Sequence, residues 1–174
     1  MPLYEVDGKS PVISPESFVH PDAVLIGDVT VGRASFIAPG VVIRADEGPV
    51  VIGNGTSIQD NTVIHINPGA SVTIGDEVLV GHSTVLHDTR IHDRCVIGMG
   101  AILLFGSVCE EGAFIAAGTV VPYGMTVPAG KLAAGNPARI VKDVTEVQKQ
   151  YARFGIEAYI QLVRRYKETF REVT

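Results

Sequence analysis

Residues 95–124 read CVIGMG, AILLFG, SVCEEG, AFIAAG and TVVPYG, five consecutive units of six residues that each end in glycine. Each unit begins with a small or β-branched residue and carries a larger, mostly apolar residue two positions later. Residues two positions apart lie on the same face of a β-strand. Each unit therefore predicts a short strand with one small and one large side chain pointing inward, followed by a corner.

The six-residue period extends over most of the chain. A large inward residue recurs at Val31, Ile37, Ile43, Ile52, Ile58, Ile64, Ile74, Val80, Leu86, Ile91, Ile97, Leu103, Cys109, Ile115, Val121 and Val127. This spacing does not produce the apolar stripe of an α-helix, which recurs every 3.6 residues. Three such strands make one triangular turn, and stacked turns pair in parallel on each side. The sequence therefore predicts a mainly β protein, a parallel β-helix of hexapeptide repeats.

Two insertions interrupt the repeat. The step from Ile43 to Ile52 is nine residues and the step from Ile64 to Ile74 is ten. Both follow a third strand, so we expect loops over residues 44–51 and 66–73 at the same corner of the triangle. Insertions in a repeat protein commonly map to one face, which is often the functional one.

The chain of 174 residues suits a single domain. We expect an N-terminal cap over residues 1–21, the β-helix over 22–128, an exit loop over 129–144 and a C-terminal helix over 145–171. Thr145 has the spacing of a capping box with Gln148. The helix is expected to pack on the flank of the β-helix through an apolar stripe. That stripe comprises Val147, Tyr151, Phe154, Ala158, Leu162 and Tyr166.

Composition argues against several classes of protein. The formal net charge of −5 is spread along the chain, whereas a nucleic-acid partner needs a concentrated basic face. No run approaches the ~18 uncharged apolar residues of a membrane span, and we see no secretory signal at the N-terminus. Cys95 and Cys109 are too few for a disulfide framework and suit a reducing compartment. We expect a cytoplasmic protein with no nucleic-acid or membrane partner and with both thiols in the core.

The register of the repeat places three histidines. His65 and His87 follow the inward residue of a third strand in successive turns, so their backbones should lie about 5 Å apart. His82 ends the second strand of the turn that ends in His87, and five extended residues span up to about 16 Å. His82 and His87 of one chain therefore cannot bind the same ion.

His82 is then either an unrelated surface residue or part of a site on a neighbouring copy. Triangular prisms can pack as a closed three-fold ring in which one chain's second corner approaches the next chain's third corner. Catalytic zinc uses three histidines and an open position for water. The hypothesis is a homotrimer with three metal sites, each built from His65 and His87 of one chain and His82 of the next.

A resemblance to a known family rests on Arg44-Ala45-Asp46-Glu47, Ile58-Gln59-Asp60-Asn61, His65, Gly81-His82 with His87 five residues later, and Gly98-Met99-Gly100-Ala101. These segments are similar to the gamma-class carbonic anhydrases and their relatives from carnitine and phenylacetate operons. The likeness runs from about residue 11 to residue 139 and more loosely through the terminal helix. It implies a left-handed β-helix, a trimer, and Zn²⁺ (or Fe²⁺ or Co²⁺) on the three histidines. The left hand rests on the resemblance alone, because parallel crossovers generally favour the right hand.

The activity that the resemblance implies is hydration of carbon dioxide to bicarbonate by a metal-bound hydroxide at the trimer interfaces. Bound zinc lowers the pKa of water to about 7, a general figure that itself comes from carbonic anhydrase. By resemblance, Gln59 would hydrogen-bond the reactive oxygen, Glu47 would accept or pass on the proton, and Tyr159 would match an active-site tyrosine. The residues that would orient the site or contact the neighbouring subunit are Arg44, Asp46 and Asp60.

Simpler interpretations stay open beside these. Arg44 and Asp46 could form a plain salt bridge, Glu47 could be an exposed loop carboxylate, and Tyr159 could be a core or interface residue. The most active members of the family carry an acidic loop after the first histidine, whereas residues 66–70 hold no carboxylate. An asparagine near the helix tyrosine also has no counterpart, so low turnover is expected. The alternatives are an acyltransferase that uses acyl-coenzyme A and needs no metal, and a non-catalytic metal-binding scaffold.

Overall fold

The computed structural model describes residues 2–173. In this range twenty strands and one helix follow in chain order: β1 (Leu3–Tyr4), β2 (Val12–Ile13), β3 (Phe18–Val19), β4 (Val24–Val31), β5 (Phe36–Ile37), β6 (Val42–Ile52), β7 (Ser57–Ile58), β8 (Val63–His65), β9 (Val72–Ile74), β10 (Leu79–Val80), β11 (Val85–His87), β12 (Arg90–Ile91), β13 (Val96–Ile97), β14 (Ile102–Leu103), β15 (Val108–Cys109), β16 (Phe114–Ile115), β17 (Val120–Val121), β18 (Thr126–Val127), β19 (Lys131–Ala134), β20 (Arg139–Asp143) and α1 (Glu146–Thr169).

The strands form the three parallel faces of a β-solenoid of about seven turns. The first face stacks β2, β4, β6, β9, β12, β15 and β18, the second β3, β5, β7, β10, β13, β16 and β19, and the third β1, β4, β6, β8, β11, β14 and β17. Strands β4 and β6 bend through the corner after the third face and contribute to two faces. The parallel β-helix is therefore confirmed, while its left hand stays a prediction.

The interior is the column of large residues that the repeat predicts. Every one of them, from Val31 to Val127, is at most 2% exposed. Equivalent residues stack in register, as Ile43, Ile64 and Leu86 do on the third face. Full burial of such a side chain stabilises the fold by roughly 1.5–3 kcal/mol. The column fixes the backbone of each turn and therefore the place of every corner residue.

The insertion after Ile43 is not a separate loop, which corrects the prediction for residues 44–51. Strand β6 runs through it, and only residues 46–49 stand out as a bulge opposite Asp28. The backbone stays extended because β4 pairs with β6 on both sides of the bulge. Residues 66–71 do form a loop, and β9 begins at Val72.

The segments at the two ends contain more regular structure than predicted. Strands β1, β2 and β3 within the expected cap pair in parallel with β4 and β5, so they extend the solenoid. The expected exit loop, 129–144, contains β19 and the antiparallel β20. Strand β20 lies at the end of the second face, where it satisfies the edge of β19.

The C-terminal helix begins and packs as a capped helix on the second face. Thr145 is the N-cap and forms the predicted capping box with Gln148. The buried residues of the helix are Ala152, Ile156 and Val163. The helix and the solenoid share one hydrophobic cluster, which supports a single domain.

The predicted apolar stripe of this helix is wrong at its first four residues, since Ala158 is exposed together with the three before it. Val147, Tyr151 and Phe154 are 74%, 59% and 73% exposed. The packed side is offset because Gly155 brings the helix backbone close to Leu79: a Cβ on Gly155 would lie 2.7 Å from Leu79 Cδ1. Side-chain size at the contact therefore decides which side of the helix is buried.

Between residues 2 and 173 there is no helix with the length and apolar character required to cross a bilayer.

Candidate metal centre

The third corner, which follows the strands of the third face, stacks the predicted side chains. Arg44 pairs in register with His65, and His65 with His87. Ile64 and Leu86, the residues before the two histidines, are fully buried. The inward residues thus hold the backbone, and both imidazoles leave the prism at the same edge in adjacent turns.

The two imidazoles face each other through one nitrogen each. His65 Nδ1 lies 3.2 Å from His87 Nε2. The other nitrogen of each ring lies near a carboxylate: His65 Nε2 is 3.5 Å from Asp46 Oδ1, and His87 Nδ1 is 3.4 Å from Asp88 Oδ1. These two nitrogens and Asp46 Oδ1 are buried and have no hydrogen-bond partner among the described residues.

This geometry fits a shared metal ion. A carboxylate beside an imidazole nitrogen favours a proton on that nitrogen, which would leave the facing nitrogens of His65 and His87 with lone pairs for a cation. Two nitrogens bound to tetrahedral zinc at 2.0–2.1 Å lie about 3.3 Å apart, close to the observed 3.2 Å.

Local charges keep the donors in the forms that bind metal. Burial, with the nearby Arg44 and His87, lowers the pKa of His65, which favours the neutral imidazole required of a ligand. Burial raises the pKa of Asp46, but the hydrogen bond and charge of Arg44 outweigh it and lower the pKa overall. Arg44 Nη1 donates to Asp46 Oδ2 at 2.6 Å. Asp46 is therefore held as a carboxylate beside His65.

The second corner, which follows the strands of the second face, holds the remaining histidine. His82 Nδ1 lies 2.8 Å from Asp60 Oδ2, and the two side chains are 41% and 42% exposed. The preceding Gly81 has no room for a side chain, since a Cβ would lie 2.6 Å from the Met99 backbone nitrogen. With Nδ1 directed at Asp60, His82 has its Nε2 available to a ligand.

Of the other predicted residues, Gln59 and Glu47 lie at the two corners and Tyr159 lies on the helix. Gln59 is buried beside Asp60 at the second corner, and Tyr159 packs its ring against Phe36 with centroids 5.6 Å apart. Burial, and then the charge of Asp60, raise the pKa of Tyr159. Glu47 lies exposed in the bulge at the third corner.

One chain brings His65 and His87 together but leaves His82 at a different corner. Accordingly, among residues 2–173 no group of three histidine, cysteine or carboxylate side chains could hold a metal ion. A three-histidine site needs a second copy of the chain.

Three neighbours of the metal centre were missed from the sequence. Asp88 faces His87, Asn67 donates to Asp88 from its backbone and side-chain nitrogens at 2.7 Å each, and the ring of Phe105 stands edge-on to His87 with centroids 4.4 Å apart. The sequence feature that could have pointed to them is the step from Leu86 to Ile91 in the inward column, which is one residue shorter than the usual six.

Comparisons with known proteins agree with this architecture. A family model described as bacterial transferase hexapeptide (six repeats) matches residues 10–45. A hexapeptide transferase family protein from Anaplasma phagocytophilum superposes with a TM-score of 0.91 at 38% identity, over 95% of this chain and 98% of the other. These matches identify the class of the protein as a β-helix built from hexapeptide repeats.

Two curated relatives narrow the family. Gamma carbonic anhydrase 2, mitochondrial, from Arabidopsis thaliana is 40% identical over 166 residues, which cover 92% of this chain but 60% of that protein. Carnitine operon protein CaiE from Escherichia coli K12 is 33% identical over 172 residues, which cover 99% of this chain and 88% of that protein. The chain belongs to the hexapeptide-repeat family that includes the gamma carbonic anhydrases and CaiE.

Proposed function

We propose that the protein hydrates carbon dioxide to bicarbonate at a metal ion held by His65 and His87 of one chain and His82 of a neighbouring copy. The observation that carries this proposal is the pair of facing nitrogens 3.2 Å apart, with a carboxylate near the other nitrogen of each ring. His82 has the same pattern, because its Nδ1 lies 2.8 Å from the Asp60 carboxylate. All three rings are thus arranged as metal-ligating histidines usually are.

The outer surface of the third face supports a trimer. One apolar residue per turn points outward there, and these residues stack in register as Val24, Val42, Val63, Val85, Ile102 and Val120. We refer to these six residues as the outer ladder. Val63 and Val85 are 40% and 37% exposed, and a contiguous apolar surface of this kind usually marks an interface.

The position of the outer ladder explains how a second copy completes the site. The third face is bounded by the second corner on one edge and by the third corner on the other. Three prisms that turn this face toward a common axis place the second corner of each copy beside the third corner of the next. This packing brings His82 of one copy toward His65 and His87 of its neighbour.

The donor set fits Zn²⁺, with Fe²⁺ or Co²⁺ as the alternatives, because imidazole nitrogens suit all three ions. Zinc, when bound, supplies a water with a pKa of about 7, a general figure measured on carbonic anhydrase itself. Asp46 and Asp60, which lie beside His65 and His82, would orient those two rings. Arg44 holds Asp46 in place through its hydrogen bond.

The remaining residues would handle the substrate and the proton. Hydration adds water to carbon dioxide and releases one proton with the bicarbonate. The Gln59 amide, buried at the second corner, can orient the attacking water. Glu47, exposed in the bulge, can take the proton and pass it to solvent. Tyr159 would line the site on the side of the C-terminal helix. Since residues 66–70 hold no further carboxylate, proton transfer should limit turnover.

The test is metal analysis of the purified protein, followed by carbon dioxide hydration measured with zinc-loaded and with anaerobic iron-loaded protein. One metal ion per chain and a rate above the uncatalysed background support the proposal. A stoichiometric metal with no rate under either condition would favour a non-catalytic scaffold. A protein with no metal would refute the proposal.

Acyl transfer from coenzyme A is a second candidate, favoured by the likeness to the hexapeptide transferase family protein from Anaplasma phagocytophilum. Such an enzyme needs a single histidine base. Saturable binding of acetyl-coenzyme A by metal-free protein would support this candidate, and absence of binding would exclude it.

We also propose a cytoplasmic location. It is supported by the two free, buried cysteines, because free thiols suit a reducing compartment.

A further inference from the structure

We propose that Asp88 is a positioning residue of the metal centre, which keeps the proton of His87 on Nδ1 and leaves Nε2 bare and facing His65. The inference rests on the proposed function, since it assigns Asp88 a task toward the metal held at this corner. Asp88 is therefore the third member of a set in which Asp46 and Asp60 face the other two histidines.

The Asp88 carboxylate is held by two hydrogen bonds from Asn67. Its Oδ1 accepts the backbone N–H of Asn67 and its Oδ2 accepts the side-chain amide of Asn67, each at 2.7 Å. The side chain is 11% exposed, and its Oδ1 lies 3.4 Å from His87 Nδ1. A carboxylate fixed in this way can impose an orientation on the ring beside it.

The turn at Asp88 explains how the carboxylate reaches the ring. Asp88 has a φ of +48°, and the same left-handed position of the corner is glycine in the next two turns, at Gly106 and Gly124. Because the step from Leu86 to Ile91 is one residue short, this left-handed residue directly follows His87. An L-residue in this conformation costs about 1 kcal/mol relative to glycine, and in return the corner gains a buried carboxylate beside a metal ligand.

Asp88 acts on the tautomer of His87. A neutral imidazole carries its proton on either nitrogen, and the hydrogen bond at one nitrogen decides which. A proton on Nε2 would point at His65 and leave a lone pair on Nδ1 facing the Asp88 carboxylate. A proton on Nδ1 instead faces the Asp88 carboxylate, 3.4 Å away, and it frees Nε2 for the ion. Nδ1 is buried and makes no hydrogen bond among residues 2–173, so this attraction is electrostatic.

The test compares Asp88→Asn and Asp88→Gly with the wild type in two measurements. The first is the tautomer of His87 in metal-free protein, from long-range ¹H–¹⁵N correlation spectra. The second is zinc affinity by competition with a chromophoric chelator. We expect the Nδ1–H tautomer in the wild type, both tautomers in Asp88→Asn, and affinity about 10–100-fold weaker in both variants. Asp88→Gly suits the positive φ, so its effect does not come from backbone strain.

Asp76→Asn is the matched control. Asp76 clamps Asn54 as Asp88 clamps Asn67, accepting the backbone N–H at 2.7 Å and the side-chain amide at 3.2 Å, but among residues 2–173 it forms no ion-pair contact with a histidine. This variant should leave the His87 tautomer and the zinc affinity unchanged.

Two results would overturn the inference: an Nδ1–H tautomer that survives in Asp88→Asn, or Asp88 variants with wild-type zinc affinity. The tautomer measurement needs no metal, so it decides the role of Asp88 even if the wild type binds none. Failure of the wild type to bind metal would instead refute the proposed function.

Discussion

The first and third corners share the same backbone geometry but differ in whether their polar groups find hydrogen-bond partners. At the first corner, which follows the strands of the first face, polar groups are satisfied from turn to turn: Arg33 N donates to Asn54, Asn54 N to Asp76, and Asp76 N to Asp93, at 2.8, 2.7 and 2.9 Å. At the third corner, buried atoms of Asp46, His65 and His87 have no partner in residues 2–173.

The difference shows how to find a site in a repetitive fold. A buried polar atom without a partner costs about 1–3 kcal/mol, so a corner that leaves three of them in one cluster is explained by something that binds there. The first corner closes on itself and serves stability. We propose that the third corner is completed by a ligand and, through His82, by a second copy.

The largest effect should come from removing a ligand at the third corner. His65→Ala should abolish stoichiometric zinc binding, with affinity more than about 100-fold weaker, because even residues behind the ligands are worth 10–100-fold. Metal content by mass spectrometry and chelator competition measure this. The control is Asp76→Asn at the first corner, and equal metal content in the two variants would remove the distinction between the corners.

Charge in the outer ladder should separate the corners of neighbouring copies. Val85→Glu should give a folded monomer that has lost its metal, because the carboxylate would be buried at the proposed three-fold axis. Sedimentation and circular dichroism report the assembly and the fold. Val141→Glu, at a residue 57% exposed on β20, is the matched control and should stay trimeric. A trimeric, metal-loaded Val85→Glu protein would contradict this arrangement.

At the first corner the expected effect is on stability alone. Asp76→Asn removes the charge that accepts hydrogen bonds from Asn54 and should lower the free energy of unfolding by about 1 kcal/mol. Denaturant titration of the metal-free protein measures the loss. A change in metal content without a change in stability would reverse the roles assigned to the two corners.

The smallest effect is expected at Cys95, which lies just beyond the first corner on the second face. Burial raises its pKa from 9.0 to about 12, so at pH 8 the native protein should not react with a thiol reagent, whereas the unfolded protein should react fully. The folded protein keeps the proton that the unfolded protein loses first, so stability should fall as the pH rises above 9.0. Rapid labelling of Cys95 in the folded protein at pH 8 would contradict this prediction, because it would show that the thiol is accessible to the reagent.

The sequence was sufficient for everything that depends on the six-residue period. Ile64 and Leu86 fall in the inward column, and their followers His65 and His87 therefore stack, as the structure confirms. The six-residue period predicts nothing about segments that do not follow it. The antiparallel β20 and the buried side of the helix depend on contacts such as that of Gly155 with Leu79, which no local pattern encodes.

The site was predictable to the same extent. Register placed His65 and His87 together and His82 apart, but the roles of Gln59, Glu47 and Tyr159 rested on family resemblance and stay predictions. Asp88 was missed because an aspartate at a corner usually faces solvent. Its contact with His87 depends on a left-handed backbone and a shortened turn that appear only in three dimensions.

The most direct test of a site shared between copies is complementation of two defective variants. His82→Ala retains an intact third corner and His65→Ala an intact second corner. When the two are unfolded together and refolded as mixed trimers, about a quarter of the sites should combine both intact corners in a closed ring. Metal content and carbon dioxide hydration should then return to about that fraction of the wild type. Mixed trimers that bind no more metal than either variant alone would contradict a site shared between copies.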